Sequence, residues 1–384
     1  MNARPARLCA FNAGIQIVWG ALLAVSLQER CIALSGNAEA AVGVYAGIAA
    51  AGALVATIVQ LAAGALSDRA FLRDGNRQRF FATGVALAVP ALFWFYLAPT
   101  LAGLVAAFVC VQFAMNVAGG PYQAIIPDYV AAGRRGIASS WMSAYQSLGN
   151  VFGLLVAGLV ASVRLVPVLL VIPFVATYLV TAAEVRRLKA SPEPAPAAAS
   201  PLRLAGPLLT LLVSRGLINV GFFTLLGFLA FYVGQSLGIS GVARQSQTGY
   251  LFITFTLAAV FGAVVAGRPS DRGDKRAVVT GAVAVEVMAL ATLAASPGLP
   301  LAYAAAVVAG AGWGAFVTAD WALATALLPQ GAMATAMGVW NVATTLPQVI
   351  APLVTAPLVL RLDAAHAGAG ARGAIVLALL EFAA

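Results

Sequence analysis

Charge is what this sequence has least of. Only 9% of its 384 residues are charged and 62% are hydrophobic, with a mean hydropathy of +0.94. A soluble domain of this size carries about a quarter of its residues as charged groups. Most of the outer surface is therefore expected to face lipid. Histidine is nearly missing: His366 stands alone in an Ala/Gly-rich stretch. That removes any nucleophile–His–acid constellation and gives a zinc site no support. Lysine is almost as scarce, with Lys189 after Leu188 and Lys275 after Asp274. No Gly-Lys-Ser/Thr occurs, so no phosphate-binding loop of an ATPase is encoded. The cysteines Cys9, Cys31 and Cys110 are scattered in or near apolar runs, without a CxxC spacing or a disulfide framework, and read as small core residues. Runs of about ten residues alternating apolar and polar, the mark of a membrane β-barrel, are not seen. No enzyme chemistry and no cofactor is expected.

What is present is a series of long apolar runs, each near the roughly 20 residues a spanning helix needs. The pattern predicts twelve helices over 8–33, 38–66, 80–98, 100–127, 137–162, 165–184, 205–235, 247–267, 278–295, 300–327, 334–360 and 373–384. The first follows Arg4 and Arg7 and is too long for the apolar core of a signal peptide. The last, at twelve residues, would rise only about 18 Å, so it reads as truncated or as completed by its neighbours.

The net charge of +9 is not spread as nucleic-acid binding would require, because the charges cluster between apolar runs. With the N-terminus in the cytoplasm, one side holds Arg4, Arg7, Arg69, Arg73, Arg77, Arg79, Arg134, Arg135, Arg186, Arg187, Lys189, Arg203, Arg268, Arg272, Lys275 and Arg276. The other side holds Arg30, Arg164, Arg244, Arg361 and Arg372. Sixteen against five follows the positive-inside rule. It predicts a multi-pass protein of the cytoplasmic membrane with its N-terminus inside.

Between Arg186 and Arg203 lies a polar stretch with Pro192, Pro194, Pro196 and Pro201, composed as a linker without its own core. It divides the chain into a six-helix bundle over 1–185, a cytoplasmic linker over 186–204 and a second six-helix bundle over 205–384. The halves echo each other. Ser67-Asp68-Arg69 follows the second helix and Ser270-Asp271-Arg272 the eighth. Met142 to Gln146 parallels Met337 to Asn341, and Pro127 and Pro329 close the fourth and tenth helices. Parallel repeats of this kind predict two pseudo-symmetric bundles with a substrate path between them.

The repeated segment resembles the signature of the major facilitator superfamily, Gly-x-x-x-Asp-Arg-x-Gly-Arg-Arg/Lys. The first copy runs Gly64-Ala-Leu-Ser-Asp68-Arg69, with its next glycine late, at Gly75. The second, Gly267-Arg-Pro-Ser-Asp271-Arg272-Gly273-Asp274-Lys275-Arg276, is tighter. The resemblance implies the twelve-helix fold of that superfamily, an all-α membrane protein. It also implies a cytoplasmic latch in which Asp68 and Asp271 each meet a helix N-terminus of the other half. Gly64 and Gly267 would permit close helix approach. Asp128, ending the fourth helix beside Arg134 and Arg135, reads as a further gating charge. Asn116 to Asp128, Asp320-Trp321 and Gly338 to Asn341 resemble the glycoside–pentoside–hexuronide and sucrose branch and its bacterial relatives. Plant sucrose carriers have an arginine where Gln123 stands, so sucrose itself is not implied.

Polar groups inside a bilayer are costly and mark function by default. Arg215 and Asp320 count to similar depths in the seventh and tenth helices, within roughly 3 Å along the normal. An ion pair that opens when Asp320 is protonated would couple transport to a proton. Glu286 falls in a helix that is usually peripheral in the superfamily, so a structural or snorkelling role stands level with a functional one. Glu29 reads as solvated at the interface. Sugar-like ligands need hydrogen-bonding side chains beside aromatic faces. The candidates are Asn12, Gln16, Trp19, Asn116, Tyr122, Gln123, Tyr145, Gln146, Asn150, Asn219, Trp321, Trp340, Asn341 and Gln348. They concentrate in the helices that line the cavity in the superfamily.

The resulting expectation is a monomeric secondary transporter working by alternating access, taking up a small sugar-like solute with a proton. A proton-driven exporter of drugs or metabolites and a transporter-like sensor without flux are the alternatives.

Overall fold

The structure is a computed structural model and describes residues 3–36, 38–74, 76–130, 135–188, 206–272, 274–327, 333–366 and 369–383. All regular structure among them is helical. The long helices are α1 (Pro5–Ser35), α2 (Ala38–Asp74), α3 (Gln78–Leu97), α4 (Leu101–Tyr122), α5 (Arg135–Leu159) and α6 (Leu165–Arg187), then α7 (Pro207–Phe231), α8 (Gly241–Arg272), α9 (Lys275–Ala294), α10 (Leu299–Leu327), α11 (Met333–Ala365) and α12 (Ala369–Ala383). Ten of the described helices are long and apolar enough to cross a membrane. Their outward residues include Ile172, Phe261 and Val264, each more than 60% exposed. Large apolar side chains on the outside and backbone groups satisfied within helices are what a hydrocarbon solvent demands.

Several boundaries differ from those read in the sequence, each for a local reason. α4 stops at Tyr122 rather than 127, and a separate turn, Ile125–Tyr129, follows. Pro127 has no N–H to give the carbonyl of Gln123, so the chain breaks at that point and restarts with the proline in a first turn. α2 continues past 66 to Asp74, because its polar end projects beyond the apolar span and needs no lipid partner. α11 runs on to Ala365, and α12 begins at Ala369 rather than 373. The Ala/Gly run between them reads as a loop, yet Asp363 Oδ1 accepts the Gly370 N–H at 2.8 Å and caps the new helix. α12 has 15 residues, about 22 Å of rise. α1 carries a π turn at Leu22–Ser26, where the Ser26 and Tyr96 hydroxyls lie 2.7 Å apart. α7 ends in another at Tyr232–Ser236.

Contacts divide the chain into two compact units, Met1–Ser35 with Ala51–Ala195, and Gly36–Ala50 with Pro196–Ala384. Residues 189–204 of the expected linker lie outside the described residues. The first part of α2 belongs to the second unit, where Tyr45 meets Phe228 and Phe231 edge-on at 5.6 and 5.9 Å.

Packing repeats between the units. In the first, α1 packs on α5 and α6, and α3 on α4 and α6. In the second, α7 packs on α11 and α12, and α9 on α10 and α12. Each second pair is a first pair with six added to both helix numbers, so the duplication legible in the sequence extends to partner choice. Glycine sets the closest approaches. A Cβ on Gly149 of α5 would lie 2.5 Å from the Ala13 carbonyl oxygen of α1, and one on Gly20 of α1 would lie 2.7 Å from that of Asn150. Backbones this close gain the dispersion contact that holds helices together in lipid. A ring cluster fills each interior. Phe11 lies among Phe81, Tyr122, Phe174 and Tyr178 in the first unit. Phe222 stacks on Trp313 at 4.1 Å in the second.

Candidate functional site

The second unit holds an ion pair inside the membrane-spanning region. Arg215 lies two turns into α7 and Asp320 in the last third of α10, and Nη1 of the arginine meets Oδ2 of the aspartate. The second terminal nitrogen of Arg215 donates to Thr344 Oγ1 of α11 at 3.0 Å. One turn along α7, Asn219 Nδ2 donates to the Arg215 carbonyl at 2.8 Å. Asp320 is 1% exposed as a side chain and Arg215 11%. A pair this enclosed is held mainly by its own attraction. Removing the charge on either partner leaves the other uncompensated. Protonation of Asp320 is such a removal, and it would release the guanidinium toward Thr344 or elsewhere. Thr344 was not among the residues singled out from sequence, because threonines such as Thr344 and Thr345 are ordinary in apolar helices and carry no signal of their own.

In the first unit the candidate side chains divide into two groups. Asn12 and Tyr122 are buried and engaged in holding helices together. Asn12 Nδ2 donates to the Met142 carbonyl at 2.9 Å. The Tyr122 hydroxyl accepts from the Asn12 N–H and donates to the Leu8 carbonyl, both at 3.2 Å. Asn116 is half-buried and donates back to the Gln112 carbonyl of its own helix at 2.8 Å. The remaining candidates are more open. Gln16 and Trp19 of α1 and Tyr145 and Asn150 of α5 are half-buried, while Gln146 and Gln123 are exposed. Tyr145 leans on Trp141 with ring centroids 5.5 Å apart. In the second unit Asn219 is buried and Gln348 half-buried, and the side chains of Trp321, Trp340 and Asn341 lie outside the described residues.

The polar ends of α2 and α4 form a second arrangement. Asp128 was expected to answer Arg134 and Arg135. Arg134 and the Arg135 side chain lie outside the described residues, and the partner seen for Asp128 is Arg77. Arg77 Nε donates to Asp128 Oδ2 at 2.7 Å, and its Nη1 donates to Ser67 Oγ at 2.8 Å. The guanidinium also lies 4.6 Å from the Phe71 ring centroid. Arg77, the residue just before α3, reaches back in this way over Ser67 and Phe71 near the end of α2. Burial, with Asp128 adding to it, pushes the Tyr129 hydroxyl up to about 12 against the opposing pull of Arg77. Tyr129 is therefore neutral at any physiological pH. Arg69 is exposed, and the side chains of Asp68, Asp271 and Arg272 lie outside the described residues. A Cβ at Gly64 or Gly267 would meet nothing within 4 Å among the described residues. The close approach expected of these glycines is therefore not found there. Arg77→Gln should lower stability by about 2 kcal/mol, the cost of a lost charged hydrogen bond to a buried acceptor. Arg77→Gln with Asp128→Asn should recover most of it. Thermal unfolding in detergent checks both, and an unchanged melting point for the single variant would remove the pair from the account.

Glu286 is 1% exposed, so of the roles open to it snorkelling is removed, and neither carboxyl oxygen has a hydrogen-bond partner among the described residues.

Comparison with solved structures gives a consistent fold. A bacterial homolog to the human lysosomal transporter Spinster, in an inward-facing and occupied conformation, superposes with a TM-score of 0.73 at 16% identity. The match covers 99% of this chain and 93% of that one. The nucleoside transporter NupG gives 0.67 at 14% identity, covering 99% and 98%. A bacterial homologue of the iron transporter ferroportin, in its inward-facing state, gives 0.64 at 13%, covering 98% and 95%. At these identities the likeness is one of fold. No curated protein sequence matches the chain. Residues 9–352 match the Major Facilitator Superfamily. With its spanning helices and its repeated helix pairing, the chain is a multi-pass membrane protein of the transporter type and belongs to that superfamily.

Proposed function

We propose that the protein takes up a small sugar-like solute together with a proton, by alternating access, across the cytoplasmic membrane with its N-terminus inside. The observation that carries the reading is the enclosed Arg215–Asp320 pair with Thr344 on its flank. It is an acid whose protonation changes what a neighbouring cation binds, on three helices that must shift if a path is to open and close. The half-buried Gln16, Trp19, Tyr145 and Asn150 and the exposed Gln146 supply hydrogen-bonding groups next to aromatic faces, the chemistry that suits a hydroxylated ring. A nucleoside, the substrate class named for NupG, carries such a ring as well and belongs in the same test. The six-helix bundles on either side of 186–204 would be the halves that move.

The purified protein in proteoliposomes should accumulate one class of sugar, glycoside or nucleoside, and an imposed gradient with the lumen alkaline should stimulate that accumulation. Flux confined to lipophilic cations would instead make it an exporter. No flux of any solute would point to a sensor. Within an active system, Tyr145→Leu should raise KM roughly tenfold, about 1.4 kcal/mol of lost stacking and hydrogen bonding, and leave the maximal rate within a factor of two. A fall in rate at unchanged KM would take Tyr145 out of the binding surface.

A further inference from the structure

Two acids of the second unit lie apart from the ion pair. Glu286 of α9 is fully enclosed with both oxygens unpartnered. Glu381 of α12 is half-buried. Its carboxyl group is hydrogen-bonded to the Thr224 hydroxyl, and its Oε2 is buried without a partner. Thr224 in turn lies 3.1 Å from the hydroxyl of Thr355, and both threonines are fully buried.

Two independent ties put these acids at one depth. At one end of the unit, Arg372 of α12 donates to the carbonyl of Ser296, just past α9, at 3.1 Å. Glu286 lies ten residues back from that tie and Glu381 nine residues on, or about 15 and 13.5 Å at the helical rise. The second tie runs through α10. A Cβ on Gly312 would lie 3.1 Å from Glu286 Cγ. The next residue, Trp313, meets the ring of Phe382, the neighbour of Glu381, at 6.4 Å. Asp320 is eight residues further along α10, about 12 Å away along its axis.

No cation reaches this level from the surrounding helices. α9 has none between Arg276 and its end, and α10 has no charged residue between its start and Asp320. α7 and the turn after it have none between Arg215 and Arg244. α8 has none between Arg244 and Arg268, α11 none between its start and Arg361, and α12 carries only Arg372 besides Glu381. Glu286 packs against Gly312, and the Glu381 carboxyl group meets the Thr224 hydroxyl, itself paired with that of Thr355. An ionised carboxylate in such surroundings is far more costly than the neutral acid.

We propose that Glu286 and Glu381 are carried as neutral carboxylic acids and form a proton-binding site of the second unit separate from Arg215–Asp320. The enclosure of Glu286, 1% exposed against α10, lets that acid take or release its proton only when the helices around it move apart.

Infrared absorption of the whole protein in lipid at pH 7 tests this without any substrate. The wild type should show a protonated-carboxyl stretch that shifts on deuteration. Glu286→Gln should remove about half of it and Glu381→Gln the rest. Glu286→Asp should move the first component rather than delete it, which keeps the assignment open to test if the glutamine variant fails to fold. Asp320→Asn should leave both components in place. Absence of the stretch in the wild type, or its persistence at full strength in both glutamine variants, overturns the proposal. Uptake plays no part in this measurement. A protein without flux that keeps the stretch would end the transport reading alone. A protein with flux and no stretch would end this one alone.

Discussion

Asp320→Ala should abolish proton-driven uptake and destabilise the second unit by roughly 3–5 kcal/mol, the cost of leaving a buried charge without its partner. The stability loss follows from the geometry. Arg215 stays enclosed by α7, α10 and α11, and Thr344 offers it a neutral acceptor where the carboxylate stood. Two further variants separate structure from mechanism. Asp320→Asn keeps the shape and mimics the protonated state. It should bind and exchange solute across the membrane, yet fail to accumulate it against a gradient. Full pH-driven accumulation by Asp320→Asn would rule the aspartate out as the coupling site. Arg215→Met with Asp320→Leu removes both charges. It should recover stability to within about 1 kcal/mol of the wild type while remaining inactive. If the double variant transported with normal coupling, the pair would be only a structural tie.

How far the sequence could reach is seen in what it took to find each part of the site. Arg215 and Asp320 were legible because a charge inside an apolar run is conspicuous and helical rise converts residue counts into depth. The repeated Ser-Asp-Arg segments were legible for a similar reason, since duplication leaves identical residues at equivalent places. The partner of Asp128 was not. Arg134 and Arg135 are nearer in sequence, and only the fold shows that the chain after α2 turns back to bring Arg77 over Ser67 and Phe71. The helical start of α12 at Ala369 was hidden because its glycines argue against a helix, and one capping contact from Asp363 to Gly370 marks it. The role of Glu286 stayed open because the sequence places it on a helix but cannot say which face that helix turns inward. The membrane-facing and core-facing sides of an all-apolar helix look alike in sequence.

The same ambiguity hid the glycines that matter for packing, and they support the other large prediction. Gly310 and Gly314 stand one turn apart on α10 and share its face toward α8. A Cβ on Gly310 would fall on the Phe255 carbonyl oxygen, and one on Gly314 on that of Ala259. In return, a Cβ on Gly262 of α8 would fall on the carbonyl oxygen of Ala311. Backbone atoms cannot swing aside as a side chain can, so any substitution must push the two helices apart along their whole contact. Gly314→Ala should cost roughly 1–3 kcal/mol as an overpacked site, outweighing the gain of up to about 1 kcal/mol that alanine brings to a helix. Gly314→Leu should yield no monodisperse folded protein at all. Gly64 and Gly267 provide the contrast, since a Cβ there meets nothing within 4 Å among the described residues. Gly64→Ala and Gly267→Ala should melt at or slightly above the wild type in detergent. Both are conspicuous in the signature, yet among the described residues packing gives no reason for glycine there, whereas at the unremarked Gly314 a Cβ would fall on backbone. A Gly314→Leu protein that purified and melted like the wild type would show that α8 and α10 do not approach backbone to backbone.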